Sequence, residues 1–423
     1  LKVILQNTVL FFFVFFLSAE LRATYLLLPM DDVSQENHLK AYGITFFSLE
    51  KSYNVRWLLN YRGGSFLLED KPELRKECVI RGVSYEILSD VETMEIIEDI
   101  ASPSKNQEVV LLEKAPRIAV YSPKMNPPWD DAVTMVLQYA EIPYDVIYDE
   151  EVLSDKLLLY EWLHLHHEDF TGQFGKFYAA YRMIPWYVEG KKEAEAQAKS
   201  LGYEKVSEQK LAVALKIRDF VTGGGFMFAM CSATDSFDIA LAAEGVDICE
   251  SMFDGDPSSQ DYQSRIDFKK TFAFTDFLLE RNPLIYEFSS IDMSDKRNIA
   301  RTEDYFELKD FSAKWDRIPS MLCQNHTLLI KGFMGQTTAF NPEQIKPSVV
   351  ILAENKMNRE ARYIHGVHGK GMFTFFGGHD PEDYQHRVGD AKTELDLHPN
   401  SPGYRLILNN VLFPAAKKQE QKT

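Results

Sequence analysis

The sequence contains no CxxC pair among its four cysteines, Cys78, Cys231, Cys249 and Cys323. That sparse spacing excludes a small disulfide-stapled scaffold and argues against structural zinc held by cysteines alone. No tract of lysine and arginine offsets the formal charge of -17. An acidic chain without a basic patch is a poor partner for a phosphate backbone, so nucleic acid is not expected. Beyond residue 19 no apolar run approaches the roughly 20 residues that span a bilayer. Glycine and proline are ordinary for the length, at 22 and 18 in 423 residues, which excludes a collagenous or wholly disordered chain. Gly63–Gly64–Ser65 lacks the lysine and spacing of a phosphate-binding loop.

What the chain does have is apolar surface to bury. Its residues are 45% hydrophobic, with 29 Phe and 20 Tyr, enough for two or three domains. Residues 1–19, LKVILQNTVLFFFVFFLSA, join an early lysine to an apolar run from Val9 to Leu17 and then small residues. This is the pattern of a secretory signal peptide. It predicts cleavage between Ala19 and Thr24 and a protein of the periplasm or cell envelope with no membrane span after processing.

Strand-like and helix-like segments then alternate. Residues 24–100 read as a small N-terminal α/β unit, and the polar run 101–110 as a linker. Residues 115–415 read as a larger α/β domain. PRIAVY, YDVIYD, EWLHLHH, FMFAM and FTFF are strand candidates, and DDAVTMVLQYAEI and SEQKLAVALKIRDFV are helix candidates. Residues 250–345 are less regular and read as an insertion. The alternation predicts a mostly parallel sheet with helices on both faces.

Two residues stand out for chemistry. Cys231 ends the buried strand FMFAM and precedes a helix capped at Asp235 or Ser236. A strand–turn–helix lifts a side chain above the sheet edge, and a helix N-terminus favours thiolate. The plain alternative is an inert buried cysteine. His379 follows Gly377 and Gly378 at the end of FTFF, a suitable place for a general base, with Asp380 or Glu382 placed to orient it. Backbone amides near Gly224 and Gly225, or just after Cys231, would serve a developing oxyanion. A third group, His164, His166, His167 and Glu168, sets two histidines on one strand face. It reads as a polar pocket in preference to a metal site. Asp254 and Asp256 read as a turn, and Asn325 and His326 as possible ligand contacts.

These segments, together with LLLPMDD, WLLNYRGGSF, WLHLHHEDFTGQFGKFY, GGGFMFAMCSATDSFDIALAAEGVDI and GGHDPEDYQH, carry a resemblance over nearly the whole mature chain. The chain resembles exported Bacteroidota proteins commonly labelled asparagine synthetase B. It has no Ser/Gly/Asp-rich pyrophosphatase loop, so ATP-dependent asparagine synthesis is not expected. More remotely it is similar to class I glutamine amidotransferase-like domains of the trehalose-utilisation type. That likeness implies a flavodoxin-like sheet with Cys231 as nucleophile, His379 as base and Glu382 as the orienting acid. Three functions follow as expectations. The first is a cysteine-dependent hydrolase of an amide or related carbonyl. The second is a non-catalytic envelope module binding a sugar or peptide. The third is a metal-assisted hydrolase built on residues 164–168. The implied partner is a small molecule, peptide or glycan. No cofactor is expected, and no metal is assigned.

Overall fold

The computed structural model describes residues 24–124, 130–316, 326–384 and 390–416, so the leader 1–19 and Asn325 lie outside the described residues. The first sheet contains β1 (Thr24–Leu28), β2 (Val55–Leu59), β3 (Ser65–Glu69), β4 (Glu86–Ser89) and β5 (Glu108–Leu112). Its order is β4-β1-β3-β2-β5, and every pairing is antiparallel. β5 lies partly inside the segment read as a linker. Its Val110 and Leu112 are buried, which a polar count over 101–110 does not reveal.

The second sheet has nine strands: β6 (Ile118–Tyr121), β7 (Asp145–Ile147), β8 (Trp162–Leu165), β9 (Phe226–Met230), β10 (Tyr305–Leu308), β11 (Leu329–Lys331), β12 (Val350–Asn355), β13 (Glu360–His368) and β14 (Gly371–Phe376). The order is β11-β10-β12-β13-β14-β9-β8-β6-β7. The protein is therefore a mixed α/β molecule, and the expectation of a mostly parallel sheet needs correction. From β7 to β14 the neighbours are parallel. From β14 to β11 they are antiparallel. The reason is local. His368 pairs with Gly371 across a tight hairpin with Gly369 at φ 62°, and a two-residue loop can join only antiparallel strands. The irregular region 250–345 supplies β10 and β11, which extend the antiparallel edge.

The parallel strands β6, β8, β9 and β14 are buried on both faces, as their apolar sequences require, while the edge strand β7 is mostly exposed. Successive residues alternate between two cores. Val120, Trp162, Phe228 and Met230 pack with the helices Ala132–Tyr139 and Pro402–Leu412. Ala119, Tyr121, Leu163, Leu165, Met227 and Ala229 pack with the helices Val206–Gly223 and Asp235–Ala242. Among the described residues, no helix is long and apolar enough to cross a membrane.

The helix His38–Glu50 ties the first sheet to the second through close contacts. A Cβ on Gly43 would sit 1.8 Å from the carbonyl oxygen of Ala140. Helix propensity alone favours alanine over glycine by about 1 kcal/mol. Here the obstacle is backbone, which cannot rotate away, and overpacking costs about 1–3 kcal/mol or more. Gly43→Ala should therefore destabilise the protein, read as a lower denaturant midpoint. An unchanged or raised midpoint would contradict this packing.

Candidate functional site

β6, β8, β9 and β14 are parallel, so their carboxyl ends meet along one sheet edge. The register aligns them: Tyr121 pairs with Leu165, Leu165 with Ala229, and Phe376 with Met230. The residues that follow are Asp130 and Asp131 after β6, His166 and His167 after β8, Cys231 after β9, and His379 after β14. Hydrogen bonds beyond the strands hold these exits together. The Cys231 amide donates to Gly378 O at 3.1 Å, and the Ala233 amide donates to His166 O at 3.0 Å. Gly377 and Gly378 make the approach possible. A Cβ on Gly377 would lie 2.3 Å from Thr338 O, and Gly378 has φ 100°.

The result is a knot of three imidazoles and one thiol. One nitrogen each of His166, His167 and His379 and the Cys231 sulfur all lie within 4.8 Å of one another. Ring centroids are 4.1 Å apart for His166 and His167, 4.5 Å for His166 and His379, and 4.4 Å for His167 and His379. His166, Cys231 and His379 are buried, while the His167 side chain is 28% exposed and marks the open side.

Two carboxylates stand behind the rings. One oxygen of Asp131 caps the helix Ala132–Tyr139 by accepting from the Thr134 amide at 2.8 Å. Its other oxygen is 3.1 Å from both His164 Nε2 and His166 Nδ1. The second His164 nitrogen faces Phe228 O. Burial alone would push the Asp131 carboxyl up, but His164 and His166 outweigh it and hold it well below the ordinary value. Asp130 lies 3.5 Å from His379 Nε2 and 3.7 Å from His167 Nε2. Burial, with His166 nearby, lowers the His379 imidazole, and Asp130 counters only in part.

Cys231 has φ 53°, the left-handed region that a branched Cβ resists, between β9 and the turn into the next helix. This is the strand–turn–helix placement that the sequence suggests. The electrostatics differ from the expected thiolate. Desolvation pushes the thiol up to about 12, and the Ser232 and Gln336 backbone amides only partly oppose it. Cys78 and Cys249 are likewise free and buried.

The other candidates lie elsewhere. Glu382 does not reach His379. The turn closed by the Asp383 amide on Asp380 O directs its carboxylate to Ser401 Oγ at 2.6 Å and His398 at 3.3 Å. Asp380 bonds Tyr404 and Thr393. Glu168 faces Lys210 and the Tyr148 hydroxyl, both at 3.3 Å. Gly224 and Gly225 precede β9, a full strand from Cys231, so they cannot serve an oxyanion there. His326 belongs to a separate group with Arg405 and Asp32. Asp254 and Asp256 are paired with Lys205. Sequence reasoning missed Asp130 and Asp131, although Asp131 stands at a helix-start position where a capping carboxylate is expected.

No family model matches the sequence, and no curated protein matches it. Among solved structures the chain is similar to a cytoplasmic protein from Salmonella typhimurium, with TM-score 0.34, 10% identity, and coverage of 72% of this chain and 100% of that one. It is also similar to a second cytoplasmic protein, from Salmonella typhimurium LT2, with TM-score 0.33, 12% identity, and coverage of 71% and 100%. A β-galactosidase from Bacillus circulans sp. alkalophilus gives TM-score 0.25, 11% identity, and coverage of 69% and 32%.

Two outcomes test the electrostatics. In native metal-free protein, iodoacetamide should leave Cys231 essentially unmodified at about pH 8, near the titration of an ordinary thiol. Peptide mass analysis reads this directly, and rapid labelling of Cys231 would contradict the burial. For Asp131, the folded carboxyl sits below its unfolded value of about 3.9. Its contribution is therefore present above that pH and lost as pH falls through the folded value. Asp131→Asn should cost about 1–3 kcal/mol at neutral pH, because the amide cannot accept from the Thr134 amide and both imidazoles as the carboxylate does. It should also flatten the acid limb of a stability–pH curve. A variant as stable as the parent at neutral pH would refute the pairing.

Proposed function

We propose that the protein is a metal-dependent hydrolase of a carbonyl substrate, with His166, His167, His379 and Cys231 as the ligands of one transition-metal ion. The observation that carries this reading is the convergence of four donor atoms within 4.8 Å, with Asp130 and Asp131 behind the rings. Tetrahedral bonds of about 2.0–2.3 Å set donors roughly 3.3–3.7 Å apart, so small side-chain rotations close the site. A set of three imidazoles and one thiolate suits Zn2+ best among common ions. Carboxylates bonded to the outer nitrogens of ligating histidines are the usual support of such centres. Among the described residues, neither His166 ring nitrogen makes a hydrogen bond, and Nε2 faces away from Asp131, which lies 3.1 Å from Nδ1.

Zinc held by all four donors would have no position left for a water, so it would supply Lewis acidity to a substrate carbonyl taken up as a fifth ligand. The chain's own groups have separate tasks. Asp131 fixes the His166 ring while anchoring its helix. Asp130 orients His379 and His167. The Ser232 and Gln336 amides steady negative charge on the Cys231 sulfur. The exposed edge of His167 leaves the side on which a substrate arrives.

A second reading has its own observation. Cys231 at φ 53° on a strand-to-helix turn, with two backbone amides at its sulfur, has the geometry of a nucleophile elbow. In that reading Cys231 attacks the carbonyl, His379 takes the thiol proton and Asp130, not Glu382, orients the imidazole. The parallel strands β6, β7, β8, β9 and β14 also stand in the spatial order second, first, third, fourth, fifth. That is the order of flavodoxin-like sheets and supports the likeness to class I glutamine amidotransferase-like domains.

Elemental analysis of protein purified without chelators decides between them. About one equivalent of zinc is expected, lost in His166→Ala while the fold persists by circular dichroism. Hydrolytic turnover should vanish with the metal and return when zinc is added. Protein that neither carries zinc nor takes up Zn2+ or Co2+ overturns the metal reading. Activity that survives chelation but not alkylation of Cys231 favours the thiol.

A further inference from the structure

The segment that follows His167, through the helices Tyr178–Tyr181 and Pro185–Ser200, carries a group of rings that belongs to none of the three hydrophobic cores. Phe177 meets Tyr181 edge-on, with centroids 5.8 Å apart at 87°, and meets Trp186 at 6.0 Å and 79°. Tyr181 and Trp186 are 5.0 Å apart at 50°. Tyr286 arrives from a distant stretch of chain and lies 5.7 Å from Phe177. Burial does not account for these residues, because Trp186 is 43% exposed and Tyr286 41%.

The group is fastened to the strand-end cluster. The Gln336 side chain donates to Gly175 O and Tyr286 O, both at 3.0 Å, while its backbone amide faces the Cys231 sulfur. The Gln336 side chain thus ties the backbone at Tyr286 to the loop at Gly175.

We propose that Phe177, Tyr181, Trp186 and Tyr286 form the substrate platform of the strand-end centre, and that the occupant is a neutral sugar ring. The inference rests on reading that centre as the reacting one. Rings that meet edge-on or tilted offer apolar faces with polar tips, namely the Tyr181 hydroxyl and the Trp186 indole N–H. A pyranose presents the matching surface, an apolar C–H face rimmed by hydroxyls. An aliphatic side chain would cover the faces but leave the polar tips without partners. The formal charge of -17 disfavours an anionic occupant.

Calorimetric titration of the full chain tests the proposal, with cellobiose, maltose and N,N′-diacetylchitobiose as sugar probes and N-acetylphenylalaninamide as the peptide-like probe. At least one sugar should bind. Trp186→Ala should weaken that binding at least tenfold, Trp186→Phe should retain most of it, and zinc content should stay at the parent level in both. Because Trp186 is exposed, neither change should disturb the fold. No heat with any of the sugars, equal binding by Trp186→Ala, or binding of the peptide probe alone overturns the platform. Zinc is measured on the same samples, which separates the two ideas. Sugar binding lost on Trp186→Ala in a protein without metal sinks the centre and leaves the platform, whereas metal without sugar binding does the reverse.

Discussion

The common register of β6, β8, β9 and β14 at their carboxyl ends is the constraint on which the candidate site depends. Tyr121, Leu165 and Ala229 stand in one row, with Met230 beside Phe376 one step further. Residues far apart in sequence therefore leave the sheet at one level. The register is firmly set because both faces of these strands are buried in different cores. A one-residue slip would exchange the two faces and send Trp162, Phe228 and Met230 into the wrong one. The hydrogen bonds from Cys231 to Gly378 and from Ala233 to His166 carry the alignment past the strands. The same hydrophobic alternation that folds the sheet thus sets the spacing of the polar cluster.

Keeping that cluster together is costly. An unpaired buried polar group costs about 1–3 kcal/mol, and a non-glycine residue held at positive φ adds about 1–3 kcal/mol. Cys231 and Thr337 are both in that region, at φ 53° and 55°. Thr337 donates to Asp235 at 2.9 Å and its amide donates to Asp292 at 2.8 Å. Desolvation, reinforced by Asp292, raises Asp235 well above its ordinary value, and desolvation lifts Asp292 itself to about 7. Such a floor beneath Cys231 stabilises the fold less than an apolar filling of the same volume would. Imidazoles, acids and backbone strain are thus concentrated at one strand edge.

Much of this was legible in the sequence, for identifiable reasons. FMFAM and FTFF announce buried strands by composition, and the residues ending them, Cys231 and His379, follow directly. The glycines at 377 and 378 announce the tight approach. The antiparallel half was also written in RYIHGVHGKGMFTFF, whose glycine turn makes a hairpin, yet the α/β alternation upstream dominated the reading. Glu382 is near His379 in sequence and is the acid the likeness implies, but a four-residue turn sends it to Ser401 instead. Gly224 and Gly225 are near Cys231 in sequence, but β9 separates them from it. Asp130 and Asp131 were missed because their partners lie more than 30 residues along the chain, and only the parallel register brings them together.

Burial pulls the two possible roles of Cys231 in opposite directions. A nucleophile works as thiolate and needs a neighbouring cation or base to lower its pKa. Here desolvation raises it to about 12, and one imidazole of the cluster, His379, is itself held below its ordinary value by burial. Neither partner helps the other to ionise. A dyad would also have no use for His166 and His167 stacked 4.1 Å apart against it. A metal ion reverses each of these objections. Bound at this sulfur, it would favour the deprotonated thiol. It would need neutral imidazoles, and burial lowers His379 in that direction. It also gives the stacked rings and the carboxylates behind them a shared function. The desolvation that disables Cys231 as a free nucleophile is thus the environment in which it would serve as a ligand.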